Sequence, residues 1–355
     1  MAKRKTKKKS RGKIGKFILA SLAIILFASV VVGYDYYNRV YAPNVVVSMD
    51  EDYFYIPTQS KFLDVLHGLH DNGFIVNTSS FEWLSEQKLY HQNVKPGRYR
   101  ISNGMSNNEL INLLRSGEQE SVKVSFNYII LPEHLASKIT LNIEADSAKF
   151  RSMITNSEWA GKYGFNSYTF MTMFIPNTYE MWWNTPEEDL IARMAKEYKR
   201  FWNDERQDKA KRIGLSQSEV SILASIVQRE TNKNDEKPTV AGVYYNRLKK
   251  GMLLQADPTL VYAVGDFTIR RVLNKHKKVD SPYNTYVHKG LPPGPICLPS
   301  IQSIDAVLNV EDHDYVFFCA KPDGSGYHSF AKSYSQHLRN ARAFQSELNR
   351  RKVYK

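Results

Sequence analysis

Ser216–Thr231 reads SQSEVSILASIVQRET. It opens with an S-x-x-E capping box, Ser216 to Glu219, ahead of an apolar run, which marks a helix start. At helical spacing Val220, Leu223 and Val227 share one stripe with Ile226 beside it, and three residues past Val227 the stripe reaches Glu230. A carboxyl group therefore falls on the apolar face of a helix, in its last turn. Apolar neighbours and the negative end of the helix dipole both disfavour its ionised form, so both raise its pKa. A carboxylic acid kept protonated near neutral pH is what a general acid for glycosidic-bond cleavage requires. The same pattern has a second reading: the helix ends there and Glu230 pairs in solvent with Arg229, Lys233 or Arg247, since helix-terminal glutamates are commonly surface residues.

Downstream, Pro238 starts a helix that carries Val240, Val243, Tyr244, Arg247 and Leu248 to Gly251. In LQADPT (Leu254–Thr259), Asp257 reads as an N-cap and Pro258 as the first residue of a helix ending at Gly265. SPYNTY (Ser281–Tyr286) and KGLPPGPI (Lys289–Ile296) are stiff polar loops, either turn chemistry alone or a means of presenting hydrogen-bonding groups to a ligand. Tyr315–Ala320 reads as a buried strand, Pro322–Gly326 as a hairpin turn, Tyr327–Phe330 as the return strand, and Ser333–Arg351 as an amphipathic helix with a basic outer face.

Upstream, residues 45–57 predict two short strands around an acidic turn. Helices follow over Lys61–Gly73 and from a Ser79 or Ser80 cap to about Leu89, then a strand at Gly97–Ser102 and a helix from Ser106 to Gly117. Together they form a small α+β unit, a spacer or a polymer-binding module. Val122–Leu131 alternates as a strand. Residues 132–210 read as mostly helical and aromatic-rich, part core and part suited to stacking on sugar rings, because Trp182 and Trp183 cannot both face inward on a helix.

Phe17–Tyr34 (FILASLAIILFASVVVGY) is uncharged and spans about 27 Å as a helix, close to a bilayer's hydrocarbon core. Residues 1–16 hold nine basic residues and no acid, which predicts a cytoplasmic N-terminus. No small-x-small cleavage site precedes the aromatic Tyr34-Asp35-Tyr36-Tyr37, so the run reads as an uncleaved single-pass anchor with everything from about residue 40 outside the cell. The expected division is a basic tail (1–16), an anchor (17–34), a linker (35–44), a small subdomain (45–121) and a larger α+β domain (122–355). Of the 355 residues, 49 are Lys or Arg and 36 Asp or Glu. Beyond residue 16 the excess shrinks to 40 against 36, too little for a nucleic-acid partner. Cys297 and Cys319 form neither a disulfide framework nor a metal knuckle; an exported compartment would permit them to pair, and only the fold decides. H-E-x-x-H, G-x-S-x-G, P-loop and G-x-G-x-x-G motifs are all absent.

ASIVQRET (Ala224–Thr231) resembles the catalytic helix motif of the endolytic murein transglycosylases, the YceG-like family of membrane-anchored cell-wall enzymes. The likeness continues through VYYNRL (Val243–Leu248), GMLLQADPT (Gly251–Thr259), YNTY (Tyr283–Tyr286), GLPPGPI (Gly290–Ile296) and HSF (His328–Phe330). Upstream, IPNTY (Ile175–Tyr179) is similar to the family's F-P-x-T-Y element, and residues 50–117 to its LysM-like subdomain. The family often carries E-x-E on the catalytic helix. Here the first position is Gln228, so the resemblance assigns the acid to Glu230. PEHLASKI (Pro132–Ile139) departs from the family pattern.

The resemblance implies cleavage of the bond between N-acetylmuramic acid and N-acetylglucosamine without water. Glu230 gives its proton to the bridging oxygen and then takes one from the muramic acid 6-hydroxyl, which closes a 1,6-anhydro end. No metal or cofactor is implied. Gln255, Asp257, Thr259, Tyr283, Asn284 and His328 are the candidates for holding the sugars. The implied partners are peptidoglycan strands, the cytoplasmic membrane and cell-wall synthases. Two alternatives stay open: a non-catalytic membrane-tethered glycan-binding scaffold, and a hydrolytic muramidase, which needs Asp257 or Asp235 as a second carboxylate facing Glu230.

Overall fold

The structure is a computed structural model that describes residues 11–48 and 51–350. Helix α1 spans Arg11–Tyr41, and its stretch Gly15–Tyr41 is long and apolar enough to cross a membrane, by length and composition. The tail expected over 1–16 lies outside the described residues as far as residue 10 and is helical from Arg11. The linker expected at 35–44 is helical as far as Tyr41, stitched by an Asp35–Arg39 ion pair (2.8 Å) one turn apart.

Two compact units follow from the contacts: residues through Ser121 together with Trp182–Asn184, and Val122–Met181 together with Thr185 onward. In the first, the order is β1 (Glu51–Ile56), α2 (Phe62–Asp71), α3 (Thr78–Gln87), β2 (Gly97–Ser102) and α4 (Asn107–Ser116). Strands β1 and β2 pair antiparallel, Glu51 opposite Ser102 and Ile56 opposite Gly97. Their alternation buries Phe54, Ile56, Tyr99 and Ile101 against Leu69, Phe81, Leu110 and Leu114. Among the described residues of the 45–57 stretch one strand forms: Val45 makes an isolated bridge to Ile75, and the turn at 49–50 lies outside the described residues. Asn77, not Ser79 or Ser80, caps α3, because its side-chain oxygen reaches the Ser80 amide (2.9 Å). Ser106 and Glu109 form the capping box of α4, and Gly117 (φ 77°) ends it. Buried Asn44 and Asn107 (2.6 Å apart) tie α1, α3 and α4 together through Arg39 O, Asn77 O and Ser80 Oγ.

The second unit runs β3 (Ser121–Phe126), α5 (Pro132–Ile139), α6 (Ser147–Ile154), α7 (Ser157–Lys162), β4 (Asn177–Trp182), α8 (Glu187–Phe201), α9 (Asp204–Arg212), α10 (Gln217–Glu230), α11 (Lys237–Lys249), α12 (Asp257–Val264), α13 (Ile301–Leu308), β5 (Phe317–Ala320), β6 (His328–Ala331) and α14 (Tyr334–Arg350). Strand β3 stops at Phe126, short of the expected Leu131, and pairs with β4, a strand inside the region expected to be mostly helical. Trp182 therefore ends a strand, not a helix, and Trp183 packs edge-on against Tyr55 (5.0 Å). Part of the aromatic segment is core: Phe150, Phe170, Phe174, Tyr179, Tyr198 and Trp202 are buried, while Tyr168 and Trp182 are exposed. The hairpin β5–β6 forms as expected, but β5 starts at Phe317 and is half-buried. Mixed helices and small sheets agree with the α+β expectation.

Helix α10 is the central element. Its residues Val220–Val227 are all buried, and it packs against α11 and α13. Ser225 Oγ accepts from the Ile296 amide (3.0 Å), which ties the Pro-rich loop to the helix. Cys297 beside it is a buried free thiol, pushed up to about 12 by burial, and Cys319 is also free, so the two do not pair.

Helix α11 reaches its neighbours closely at Gly242, where a Cβ would lie 2.6 Å from His313 Nε2 and 2.9 Å from Glu311 O. Gly242→Ala is expected to overpack this contact and cost about 1–3 kcal/mol despite its gain in helix propensity, read as a lower urea midpoint with unchanged slope.

Candidate active site

Glu230 is the last residue of α10, which ends because Thr231 turns extended (φ −142°, ψ 140°). The residue keeps some surface, yet burial is the largest influence on its carboxyl and raises its pKa to about 7. The Tyr244 hydroxyl, buried on α11, donates to Glu230 Oε1 and pulls the other way. The charge of Asp257 raises the value further, and Arg247 and Arg229 lower it. Burial and the adjacent carboxylate hold the Tyr244 hydroxyl well above its ordinary range, so it stays a donor.

The solvent-pairing reading of Glu230 fails on geometry. Among the described residues Glu230 makes no ion pair. Arg247 is buried and spends its donors on backbone carbonyls: Nε on Val316 O (2.6 Å), and one terminal nitrogen on Leu254 O (2.7 Å) and Leu253 O (3.3 Å). Arg229 lies over Tyr128 (5.6 Å) and Lys233 over Tyr327 (4.9 Å).

The six residues expected to hold sugar divide into two groups. Asp257 is exposed and is not a cap: it is the first residue of α12, the cap position is Ala256, and its carboxylate accepts from the Tyr286 hydroxyl (2.5 Å). Gln255 is exposed in a left-handed conformation (φ 51°), its backbone N–H donating to Thr285 O (3.1 Å). Tyr283 is half-buried and packs against Tyr262 (4.7 Å). His328 is half-buried, with Nδ1 2.8 Å from buried Glu236 and its backbone amide on the same carboxylate (2.7 Å). Thr259 and Asn284, by contrast, are internal braces. Thr259 Oγ1 bonds Ala256 O (2.7 Å) and Thr285 Oγ1 (2.8 Å). Asn284 donates to Lys277 O (3.0 Å) and Val279 O (2.8 Å) and accepts from the Tyr286 amide (3.0 Å). Both side chains are fully buried and their hydrogen bonds go to the loop they brace. Asp235 accepts from Tyr327 (2.9 Å).

Three residues at the site escaped the sequence reading. Tyr244 sits on the apolar stripe of α11 and looks like core. Tyr286 belongs to a loop whose pairing with Asp257 spans 29 positions, and the Glu236–His328 pair spans 92. The only signal for the first two was their place within the quoted VYYNRL and YNTY stretches.

A carboxylic acid whose pKa burial raises at a helix end, with a phenol on one oxygen and a second carboxyl felt through space, is the kind of group that serves as general acid in carbohydrate-cleaving enzymes. The chain belongs to the YceG-like family, whose model matches residues 54–343. It is 28% identical over 317 residues to a Bacillus subtilis protein named endolytic murein transglycosylase, covering 83% of this chain and 85% of that one. A Streptococcus pneumoniae protein of the same name is 27% identical over 330 residues, and the match spans 58% of that longer relative. The crystal structure of a yceG-like protein from Listeria monocytogenes aligns with TM-score 0.55 and 26% identity, covering 82% of this chain and 99% of that one.

A carboxyl whose pKa rises on folding, from 4.5 to about 7, destabilises the folded chain as pH climbs through that interval and by a constant amount above it. Glu230→Gln removes that cost. The variant is expected to unfold at a higher temperature than the parent at pH 8, by up to about 3 kcal/mol in stability, with no such gain at pH 4.

Proposed function

We propose that this chain is a membrane-anchored endolytic transglycosylase that cuts peptidoglycan strands between N-acetylmuramic acid and N-acetylglucosamine, with Glu230 as both acid and base. The observation that carries the reading is the Glu230 carboxyl, which burial keeps protonated up to about pH 7 at a helix end beside Tyr244. The names borne by the Bacillus and Streptococcus relatives point the same way.

In the first step the Glu230 proton passes to the bridging oxygen as the bond to the departing N-acetylglucosamine breaks. The Glu230 carboxylate then takes the proton of the muramic acid 6-hydroxyl, whose oxygen closes on the anomeric carbon. The nucleophile is already part of the substrate, so the step is intramolecular and no water enters the product. Tyr244 donates most strongly when Glu230 is ionised, which favours the moment the proton leaves. Asp257, held by Tyr286, supplies negative charge where the sugar becomes positive. Gln255, Tyr283 and His328 remain the candidates for holding the sugars.

Helix α1 would span the cytoplasmic membrane, with the nine-cation tail inside and the body outside. The strand–helix–helix–strand order of β1, α2, α3 and β2 supports a LysM-like module. A cleft of about 760 Å³ lined by Tyr53, Tyr55, Gln59, Asp64 and Asn72 offers it a place for a polymer.

A hydrolytic muramidase is the second reading, favoured by one observation: an exposed carboxylate, Asp257, whose charge reaches Glu230. Mass analysis of the products separates the two. Incubating the detergent-solubilised full chain with peptidoglycan in 18O-water is expected to give unlabelled ends lighter by one water, whereas labelled reducing ends would establish hydrolysis. Glu230→Gln is expected to release neither; full activity in that variant would remove Glu230 from the mechanism.

The rate should fall as pH rises through about 7, where the acid loses its proton. Tyr244→Phe deletes the bond that lowers the Glu230 pKa. The alkaline limb of its pH–rate profile is expected to move to higher pH, with the maximal rate about tenfold lower.

A further inference from the structure

The body's excess positive charge lies in a single segment beside the site. Of the residues after position 16, 40 are basic and 36 acidic. Residues 266–289 hold six of the former (Arg270, Arg271, Lys275, Lys277, Lys278, Lys289) and two of the latter (Asp266, Asp280), so elsewhere the two signs balance at 34 each. None of the six cations makes an ion pair among the described residues. Five of them, all but Lys277, are exposed. The base of the segment is fixed, because buried Asn284 donates to Lys277 O and Val279 O. The Lys277 ammonium lies 4.9 Å over the ring of Tyr286, whose hydroxyl holds Asp257. An uncompensated cationic surface thus begins one side chain from the candidate active site.

We propose that this surface recognises the carboxylates of the peptide branches on the polymer, so that strands bearing acidic peptides are the preferred substrate; the proposal rests on the reading of Glu230 as a glycan-cleaving acid. The N-acetylated sugars of such a strand are uncharged, and the lactyl carboxyl of muramic acid is bound as an amide to the peptide. Its anions are therefore the free peptide carboxylates, displaced sideways from the bond being cut. Cations on a segment that reaches the Tyr286–Asp257 pair through Lys277, rather than Glu230 itself, match that displacement. They act through long-range attraction that lowers KM, and salt screens it.

The test compares two substrates with the detergent-solubilised full chain: peptide-bearing strands, and the same strands with their peptide carboxylates amidated. At low salt the parent is expected to show about tenfold higher kcat/KM on the carboxylate form, almost all in KM. That preference should vanish near 1 M salt, where the Debye length is about 3 Å. The variant Arg270→Ser/Arg271→Ser/Lys275→Ser, checked for folding by thermal unfolding, is expected to lose the preference at low salt. Should it fail to fold, the salt series on the parent decides alone. Equal cutting of both substrates by the parent at low salt, or full preference in the folded triple variant, overturns the proposal. A preference seen only in vesicles containing phosphatidylglycerol, and not in phosphatidylcholine alone, would assign the surface to lipid headgroups and likewise overturn it. A parent that cuts neither substrate refutes the glycan-cleaving reading instead.

Discussion

The desolvation of one carboxyl at the end of α10 organises the second unit. A glutamate in the last turn of a helix would ordinarily swing into water or find a cation, and either outcome would return it to an ordinary acid. Both are prevented. Val220–Val227 are buried, and α11 and α13 flank the helix, so its end cannot fray outward without exposing core. Arg247, the buried cation whose charge reaches Glu230, is held by three backbone carbonyls from the 253–254 turn and from Val316. Those bonds orient the guanidinium, and among the described residues it makes no ion pair.

What remains around Glu230 is polar but uncharged on one side and charged on the other. The Tyr244 phenol can donate to the carboxylate without neutralising it, because burial keeps its proton in place. Asp257 has the same kind of partner, Tyr286, but stands exposed. Two carboxyl groups, each with a phenol donor, thus differ mainly in burial, and it is the burial of Glu230 that raises its pKa to about 7. That asymmetry suits a reaction in which one residue shuttles a proton and the other only supplies charge.

Local, periodic information carried the sequence reading a long way. The Ser216–Glu219 box, the Val220–Val227 stripe and the position of Glu230 at its end depend on residues within a few turns of one another, and the structure reproduces them. The Gly117 stop and the Ser106 box were legible for the same reason. Contacts across long sequence separations were not. Strand β4 owes its existence to β3, about 55 positions earlier, and no pattern within Asn177–Trp182 outweighs the helical surroundings. Asp257 before a proline reads as a cap, but the tie of Thr285 Oγ1 to the Ala256 amide places the helix start one residue earlier and frees the carboxylate. Nor could local pattern show that Thr259 and Asn284 are buried among partners up to 26 positions away.

The neutral residue at 228 completes this electrostatic arrangement. Gln228 Oε1 gathers the hydroxyls of Ser300 (2.7 Å) and Ser303 and, more distantly, the ammonium of Lys237 (3.4 Å), which pins the last turn of α10 to the start of α13. Three donors converging on one oxygen would suit a carboxylate as well as an amide, and buried Lys237, whose pKa burial lowers, would gain a counter-ion from one. A carboxylate there, two residues from Glu230, would add a second anion to the same turn and oppose the ionisation of Glu230 that the proposed base step requires. With an amide the turn is pinned to α13 while Glu230 stays its sole carboxyl, so the ionisation of Glu230 is governed by burial, by Tyr244 and by the more distant charges alone.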